Sequence, residues 1–488
     1  MSKIERLLSY TPYALHGGTG NKYEIKNIKI LITRGLESTC EFDVVAKIND
    51  NADPTFKKSD IQSVSDLFVT AAEFGYGSQV SLIAQHADRS TILFSGYVRT
   101  SGSGLITSSS AVGAQVRVTL ATSPYFYDNE WLVTPYSFTS EGNLIPLSAA
   151  ALRVPGQATF PDKNSKSVNV AEYLVKYVDD LLSAVNSKND SPWAKLSSFL
   201  DTSTAPVLGS GDMQTLGKNL IAMLTPALDQ RSAISVISSI LNSEFKLSIV
   251  PRFVGTEIRY EVIQDCGIRD PGTEPDTLTA KDILSYSEYC AQKRPGAINM
   301  VSCQWSGNAG TGYITWMKLG YDSSGKAVKE LVTMEKINES LNSVNNLPEL
   351  ATSLGRAAII RLPAWLMNSG AQENYRKKIA ESLILTQIAS GGGFSGSLAV
   401  TCPVTVYDRV KNNVGKVMKI DCTGAEFEKS KGVRFGRLIG VEYRLSALAN
   451  ELTSTLLLSF DCVLSEDDFD VFKVSADDLL CIPSGRKK

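Results

Sequence analysis

Two stretches of this chain alternate apolar and polar residues with a period of two, and the stretch between them does not. In the first, Ile28, Ile30 and Ile32 alternate with Lys29 and Leu31, and a second run carries Phe42, Val44 and Ala46. Val80 to Ala84 is a third run and Thr91 to Arg99 a fourth. In the fifth, Val116, Val118 and Leu120 lie on one side, with Gln115, Arg117 and Thr119 on the other. A period of two puts one face against a core and the other against water or a partner. Thr100-Ser101-Gly102-Ser103-Gly104 and Thr107-Ser108-Ser109-Ser110 read as polar connectors. Short strands at regular spacing predict a barrel or sandwich.

The middle changes period. Ser167 to Val185 carries Val170, Leu174, Tyr177, Val178, Leu181 and Val185 at helical spacing. Asp212 to Leu224 and Ala233 to Leu241 predict two more helices. Phe245 to Val250 and Glu257 to Val262 predict a hairpin around Gly255. The Ser/Thr/Pro/Gly-rich run from Ser197 to Gly211 predicts a surface loop. A second β unit begins near Ile283, with strands predicted at Ile298 to Trp305 and Tyr313 to Leu319. Helical periodicity at Lys336 to Ile360 and Gln372 to Ile388 predicts an inserted α-hairpin. Strands resume at Leu398 to Tyr407, Val417 to Cys422, Arg437 to Leu445 and Thr455 to Leu464. Pro403 cannot donate to a ladder and marks an edge or a bulge.

The two β units share a pattern. Val80–Ala84, Phe94–Arg99 with its central Gly96, and Val116–Leu120 recur as Val417–Cys422, Leu438–Arg444 with its central Gly440, and Leu456–Phe460. A glycine inside a strand suggests a bend or bulge. The expected fold class is mainly β with α/β insertions: two small antiparallel β-barrels or half-barrels in one chain plus helical and mixed inserts. The expected domains are residues 1–135, a mixed insert at 136–280, a second β domain from 281–325 and 395–475, a helical insertion at 326–394, and a tail at 476–488.

Composition narrows the function. Forty-nine basic and 51 acidic side chains in 488 residues leave a formal charge of −2, so no basic surplus drives nucleic-acid binding. Lys3, Glu5 and Arg6 interrupt the first 20 residues, which predicts no secretion signal and synthesis in a cytoplasm. Leu456-Leu457-Leu458, among the longest aliphatic runs, is far short of the ~20 residues a helical membrane span needs. The terminal Gly485-Arg486-Lys487-Lys488 reads as a solvated end. Cys40, Cys266, Cys290, Cys303, Cys402, Cys422, Cys462 and Cys481 are too scattered for zinc knuckles and read as buried reduced thiols.

Motifs for chemistry are weak. His16 sits beside Gly17-Gly18-Thr19-Gly20, and His86 lies in the polar turn Gln85–Ser90; neither context suits a catalytic triad. Gly391–Gly396 formally fits GxGxxG but follows a predicted helix and opens a strand, the reverse of a dinucleotide fingerprint. Gly211–Lys218 has one spacer too many for a phosphate loop, and Asn219 replaces the needed Ser or Thr. Glu466-Asp467-Asp468-Phe469-Asp470 lacks the ligand spacing of a calcium loop and reads as a solvated strand end. Tyr125-Phe126-Tyr127 with Trp131, and Trp305, Tyr313 and Trp316, suit packing in a core or interface, or stacking on sugars. No catalytic, cofactor-binding or metal-binding residue is singled out, and no enzyme activity is expected.

The strand layout resembles the baseplate or tail hub proteins of tailed bacteriophages, related in fold to the hub part of the type VI secretion spike. The residues carrying the likeness are Ile28–Ala46, Val80–Ala84, Leu93–Val98, Ile298–Ser302 and Arg437–Tyr443. The resemblance implies a virion structural protein, assembled in the host cytoplasm and resident in the tail. It implies a homotrimer whose six nearly equivalent β units form a ring. That ring would join the tail tube, or a distal tail protein, to a central spike or fibre, with the tape-measure protein a further candidate partner. It implies no cofactor, no nucleic-acid recognition and no membrane span. The alternative is a receptor- or glycan-binding tail protein; a polysaccharide hydrolase using a carboxylate pair ranks third.

Overall fold

A computed structural model describes residues 11–14, 23–35, 37–46, 79–86, 89–108, 111–123, 136–138, 144–146, 167–169, 200–201, 207–209, 247–264, 273–289, 300–306, 312–321, 327–332, 357–361, 396–423, 432–448 and 451–473, with single residues at 141, 171, 175, 238, 241, 242 and 271. Its strands are mainly antiparallel. The first unit comprises β1 (Thr11–Ala14), β2 (Tyr23–Thr33), β3 (Thr39–Ala46), β4 (Gln79–His86), β5 (Arg89–Ser108) and β6 (Ala111–Ala121). They pair antiparallel in the order β1-β4-β5-β6-β3-β2. The predicted alternation places Ile28, Ile30, Ile32, Phe42, Val118 and Leu120 in the core. Thr100–Gly104 departs from expectation: it is no connector but a continuation of β5, paired with β6 as far as Ser108 opposite Ala111. Serine and glycine are poor strand formers alone, and the ladder along β6 overrides that preference.

Between the units, β7 (Tyr136–Phe138) pairs with β8 (Leu144–Pro146), and β9 (Ser167–Asn169), β10 (Leu200–Asp201) and β11 (Val207–Gly209) follow. β9 pairs with β11. The helix expected from Ser167 therefore begins later; Ala171 and Val175 are helical and buried. Ser238 and Leu241 are helical as expected, whereas Asp212–Leu224 lies outside the described residues. The predicted hairpin forms from β12 (Leu247–Val254) and β13 (Glu257–Gln264), with β10 parallel to β13. Gly255 turns it at φ +60, a left-handed conformation that glycine adopts without a Cβ clash.

The rest of the chain contributes β14 (Thr277–Leu278), β15 (Ser285–Tyr289), β16 (Met300–Ser306), β17 (Gly312–Tyr321), β18 (Ala327–Val332), β19 (Ala357–Arg361) and β20 (Gly396–Cys402). A 3-10 turn at Val404–Val406, helix α1 (Tyr407–Val410), β21 (Val417–Asp421), β22 (Val433–Leu448), β23 (Glu451–Ser465) and helix α2 (Glu466–Phe472) follow. Four expectations change here. β16 and β17 do not join the second unit; they form a four-stranded sheet with β18 and β19, in the order β18-β17-β16-β19. Ala357–Arg361, expected as the end of a helix, is a strand parallel to β16. The strand expected from Leu398 to Tyr407 stops at Cys402, because Pro403 starts the 3-10 turn. The acidic run is no strand end but the first turn of α2, where the Ser465 hydroxyl accepts from the Asp468 amide at 3.2 Å and the carboxylates lie at the positive end of the helix dipole. Of the expected α-hairpin, 336–356 and 372–388 lie outside the described residues.

β2 pairs with β22, so both units belong to one 12-stranded sheet whose path runs from β1 to β15. Among the described residues that path does not return on itself. One hydrophobic cluster underlies both halves, from Ile28 and Phe94 to Tyr443 and Phe460. Each fully buried aliphatic or Phe side chain contributes about 1.5–3 kcal/mol relative to exposure, so the sheet's inner face holds the two units as one body.

Candidate assembly interface

The two units repeat one pairing order. In chain order β2, β3, β4, β5, β6 become β4-β5-β6-β3-β2 across the sheet; β15, β20, β21, β22, β23 become β21-β22-β23-β20-β15. The registers coincide as well. Val98 faces Leu120 and Leu120 faces Cys40; Leu438 faces Phe460 and Phe460 faces Leu398. Both long strands then bulge by one residue, at Arg99 and at Ile439. A bulge bends and twists its strand at a set place, so its recurrence in register marks equivalent geometry.

The paired glycines are Gly96 and Gly436, not Gly96 and Gly440. Gly96 stands opposite Val80, and Gly436 opposite Met418. A Cβ on Gly96 would lie 3.1 Å from the Cβ of Leu120, and one on Gly436 would lie 3.2 Å from the Cβ of the equivalent Phe460. On Gly440 its nearest neighbour would be the Cβ of Ser459 at 3.8 Å, an ordinary contact. The glycines are where backbone crosses core side chains, a constraint that local sequence pattern does not show.

The junction between the units uses one edge of β22. β23 occupies the other edge from Arg434 to Leu448. On the first edge β21 pairs along Val433–Arg437, and beyond the bulge β2 takes over, from Thr33 opposite Gly440 to Ile28 opposite Leu445. The ladder continues past β2, where the Arg34 amide donates to the Ile439 carbonyl at 3.2 Å. At the same end, the Arg437 guanidinium donates to both oxygens of Asp461 at 2.8 and 2.7 Å, and Arg34 lies 3.8 Å from that carboxylate. Arg437 is 4% exposed, so its charge depends on this pair.

A clasp reinforces the junction. The Tyr407 hydroxyl donates to the Leu93 carbonyl at 2.6 Å, and Lys411 Nζ donates to the Ile92 carbonyl at 2.5 Å, tying α1 of the second unit to β5 of the first. Burial, then the Cys40 thiol, raises the Tyr407 phenol well above its ordinary range, which keeps it a neutral donor. The β12–β13 hairpin reaches both halves. Tyr260 donates to the Thr122 carbonyl at 2.5 Å, Phe94 and Phe253 have ring centroids 5.2 Å apart, and Asn412 brackets the Phe253 backbone by donating to its carbonyl and accepting from its amide. Arg252 spans Glu261 and the Val414 carbonyl.

Other candidate residues lie apart from this junction. His86 ends β4, opposite Arg89, and His16 is outside the described residues. Of Gly391–Gly396 only Gly396 is described, as the start of β20; Gly211–Lys218 and Tyr125–Trp131 are outside. Trp305 stands opposite Tyr313, and Trp316 opposite Ser302, in the four-stranded sheet. Cys40, Cys402, Cys422 and Cys462 are buried free thiols, as expected; Cys303 is in β16, and Cys266, Cys290 and Cys481 are outside. Burial and then the Asp282 charge push the Cys402 thiol up to about 12; burial and then Asp461 do the same to Cys462. Among the described residues no group of His, Cys, Asp and Glu has metal-binding geometry, and no helix is long and apolar enough to cross a membrane.

No family model and no curated protein matches the sequence. Similar solved structures exist. One is the tail protein from Neisseria meningitidis MC58, at 11% identity and a TM-score of 0.43, covering 93% of this chain and 96% of that one. Another is the E. coli c3393 protein, a component of the type VI secretion system with structural similarity to the T4 bacteriophage tail proteins gp27 and gp5, at 10% identity and a TM-score of 0.33, covering 94% and 77%. A third is a PdpA–VgrG complex, at 9% identity and a TM-score of 0.37, covering 94% and 66%. These tail and type VI secretion proteins are the group to which the strand pattern pointed.

Proposed function

We propose that this chain is a non-catalytic structural component of a tail, a hub whose copies form a ring. One observation carries the reading: two units with the same pairing order and register follow one another in a single polypeptide. Three such polypeptides present six nearly equivalent units, so their ring can meet a sixfold tube on one side and a threefold spike or fibre on the other. A closed cyclic contact between unlike surfaces makes such a ring, whereas an isologous contact stops at a dimer. The first unit lies within residues 1–135, and the second is built from β14, β15 and β20–β23, within 277–289 and 396–465, with the β16–β19 sheet outside it as part of an insertion. A formal charge of −2 suits a protein that packs against copies of itself and neighbouring tail proteins.

The test is native mass measurement joined to electron microscopy of the purified protein and of tail particles. Trimeric rings with six lobes, and the chain at the junction of tube and spike or fibre, are expected. A protein that stays monomeric at high concentration and never appears in tails overturns the reading.

A further inference from the structure

We infer that copies of this chain join by strand addition, β15 of one copy pairing antiparallel with the Gly102–Leu105 stretch of β5 in the next. This rests on the hub reading and gives its ring a contact and a register.

The argument comes from the junction already inside the chain. There β2, the last strand of the first unit, pairs with β22 beyond the end of β21. The equivalent of β2 is β15, which ends the sheet's path with β20 as its one strand partner among the described residues. The equivalent of β22 is β5. Tyr97 has Ala121 on one side and Gln79 on the other, so β6 and β4 occupy opposite edges. β4 ends its pairing at Tyr97, while β6 continues to Ser108. The β4 edge beyond the bulge therefore carries no strand among the described residues, although the matching edge of β22 carries β2. Each copy offers one terminal strand and one open stretch that its own fold shows to be complementary in kind. Such edges invite pairing with another chain, and a contact between two different surfaces propagates round a ring.

Equivalence fixes the register. Glu288 stands opposite Leu398 as Ile30 stands opposite Cys40, so Ser287 takes the place of Lys29 and Tyr289 that of Leu31. Ser103 stands opposite Val116 as Tyr443 stands opposite Leu456, so Gly104 takes the place of Arg444 and Gly102 that of Glu442. Since Lys29 faces Arg444 and Leu31 faces Glu442, Ser287 faces Gly104 of the next copy and Tyr289 faces Gly102. The side chains agree in size. An aromatic ring lies across from a glycine, the pairing that shields an exposed strand glycine. This accounts for the run Thr100-Ser101-Gly102-Ser103-Gly104, which is costly in an isolated strand and suited to close approach by another backbone.

The test is cysteine cross-linking of full-length protein carrying Cys290→Ser. Directly opposed residues of antiparallel strands have Cα atoms about 4.5–5.5 Å apart, inside the ~4.4–6.8 Å window of a disulfide. Ser287→Cys with Gly104→Cys should, on mild oxidation, convert the monomer band on a non-reducing gel into a covalent trimer and no larger ladder. Each single variant should stay monomeric on that gel. Lys29→Cys with Arg444→Cys, the internal counterpart, should close within one chain and verify the oxidation. Ser287→Cys with Gly102→Cys tests the register by displacing one partner by two residues. Trimers by native mass with no Ser287–Gly104 cross-link, or with preference for the displaced pair, overturn this contact and leave the hub reading standing. Monomers by native mass overturn both. An unending ladder supports the strand pairing and overturns the closed ring.

Discussion

The two halves of the sheet use one pairing order on different side chains, and their difference is sharpest at the strand that follows each paired glycine. In the second half Arg437 and Asp461 face each other across β22 and β23; in the first half Tyr97 and Ala121 hold the same places. Beyond them β22 reads Gly440-Val441-Glu442-Tyr443-Arg444 and carries β2, whereas β5 reads Thr100-Ser101-Gly102-Ser103-Gly104 and carries no strand on that edge among the described residues. The teaching is that topology and register can be duplicated while the chemistry diverges. The second half's edge is satisfied inside the chain and carries an ion pair and large side chains. The first half's edge carries small residues.

The comparison breaks most violently at the ion pair. Asp461→Ala leaves the Arg437 guanidinium buried without its carboxylate, and removing one partner of such a pair costs about 3–5 kcal/mol. A large fall in the guanidinium midpoint of unfolding is expected, with early exchange of the β22 and β23 amides. Asp461→Asn retains one acceptor and should fall less. Ala121, fully buried, occupies the matching place without any such pair, so the first half holds no charge there whose loss would have this effect. A small effect of Asp461→Ala would mean that the second half does not depend on its charged pair.

Glycine substitutions give the next effect and sharpen the equivalence. A methyl on Gly96 would meet Phe94 at 2.8 Å and the Ala121 carbonyl at 2.9 Å; on Gly436 its nearest neighbours are at 3.2 Å. Overpacking of this kind costs about 1–3 kcal/mol. Thermal unfolding should rank Gly96→Ala as most damaging, Gly436→Ala intermediate and Gly440→Ala nearly neutral. If Gly440→Ala were the worst, the register placing Gly436 opposite Met418 would be wrong.

Much of this architecture was legible in the chain. The alternation at Ile28–Ile32, Val116–Leu120 and Leu456–Phe460 located inner-face strands because a half-buried strand imposes its period on local sequence. The hairpin at Gly255 was legible because its turn is local. What escaped were features set at long range. Nothing near Thr100 shows that β6 will lie beside it, and nothing near Val301 shows that β16 will pair with β19 rather than with the second unit. The pairing of β2 with β22 joins residues more than 400 positions apart in sequence and has no signature in either segment. The acidic run at Glu466 reads as a strand end because its helix spans only seven residues, too few to set a helical period, and follows directly on β23. For the same reasons the interface is only partly readable: the repeat is visible, but local pattern points to Gly440, whereas the register makes Gly436 the counterpart of Gly96.

The clasp between the halves gives a smaller effect. Tyr407→Phe removes the hydroxyl that donates to the Leu93 carbonyl while keeping the ring, whose centroid is 5.0 Å from that of Tyr443. One buried hydrogen bond is worth about 0.5–1.5 kcal/mol net, and a carbonyl left without its donor adds to the loss. A modest fall in midpoint is expected, with faster amide exchange in β5 near Leu93 and unchanged exchange in β23. Equal acceleration in both strands would show that α1 supports the whole sheet rather than pinning one half to the other.

The smallest effect is on reactivity and leaves stability untouched. Only a thiolate attacks a disulfide reagent, and burial raises the thiols of Cys402 and Cys462 to about 12, so almost none is ionised at neutral pH. Both should resist the reagent in the folded protein from pH 7 to pH 9 and react once denaturant unfolds it, as peptide mapping of the modified cysteines would show. The two thiols lie on β20 and β23 of the second half, Cys40 on β3 of the first, and burial raises all three. If Cys40 alone reacted early, the first half would open independently of the second, and the ladder between β2 and β22 would not bind the halves into one cooperative unit.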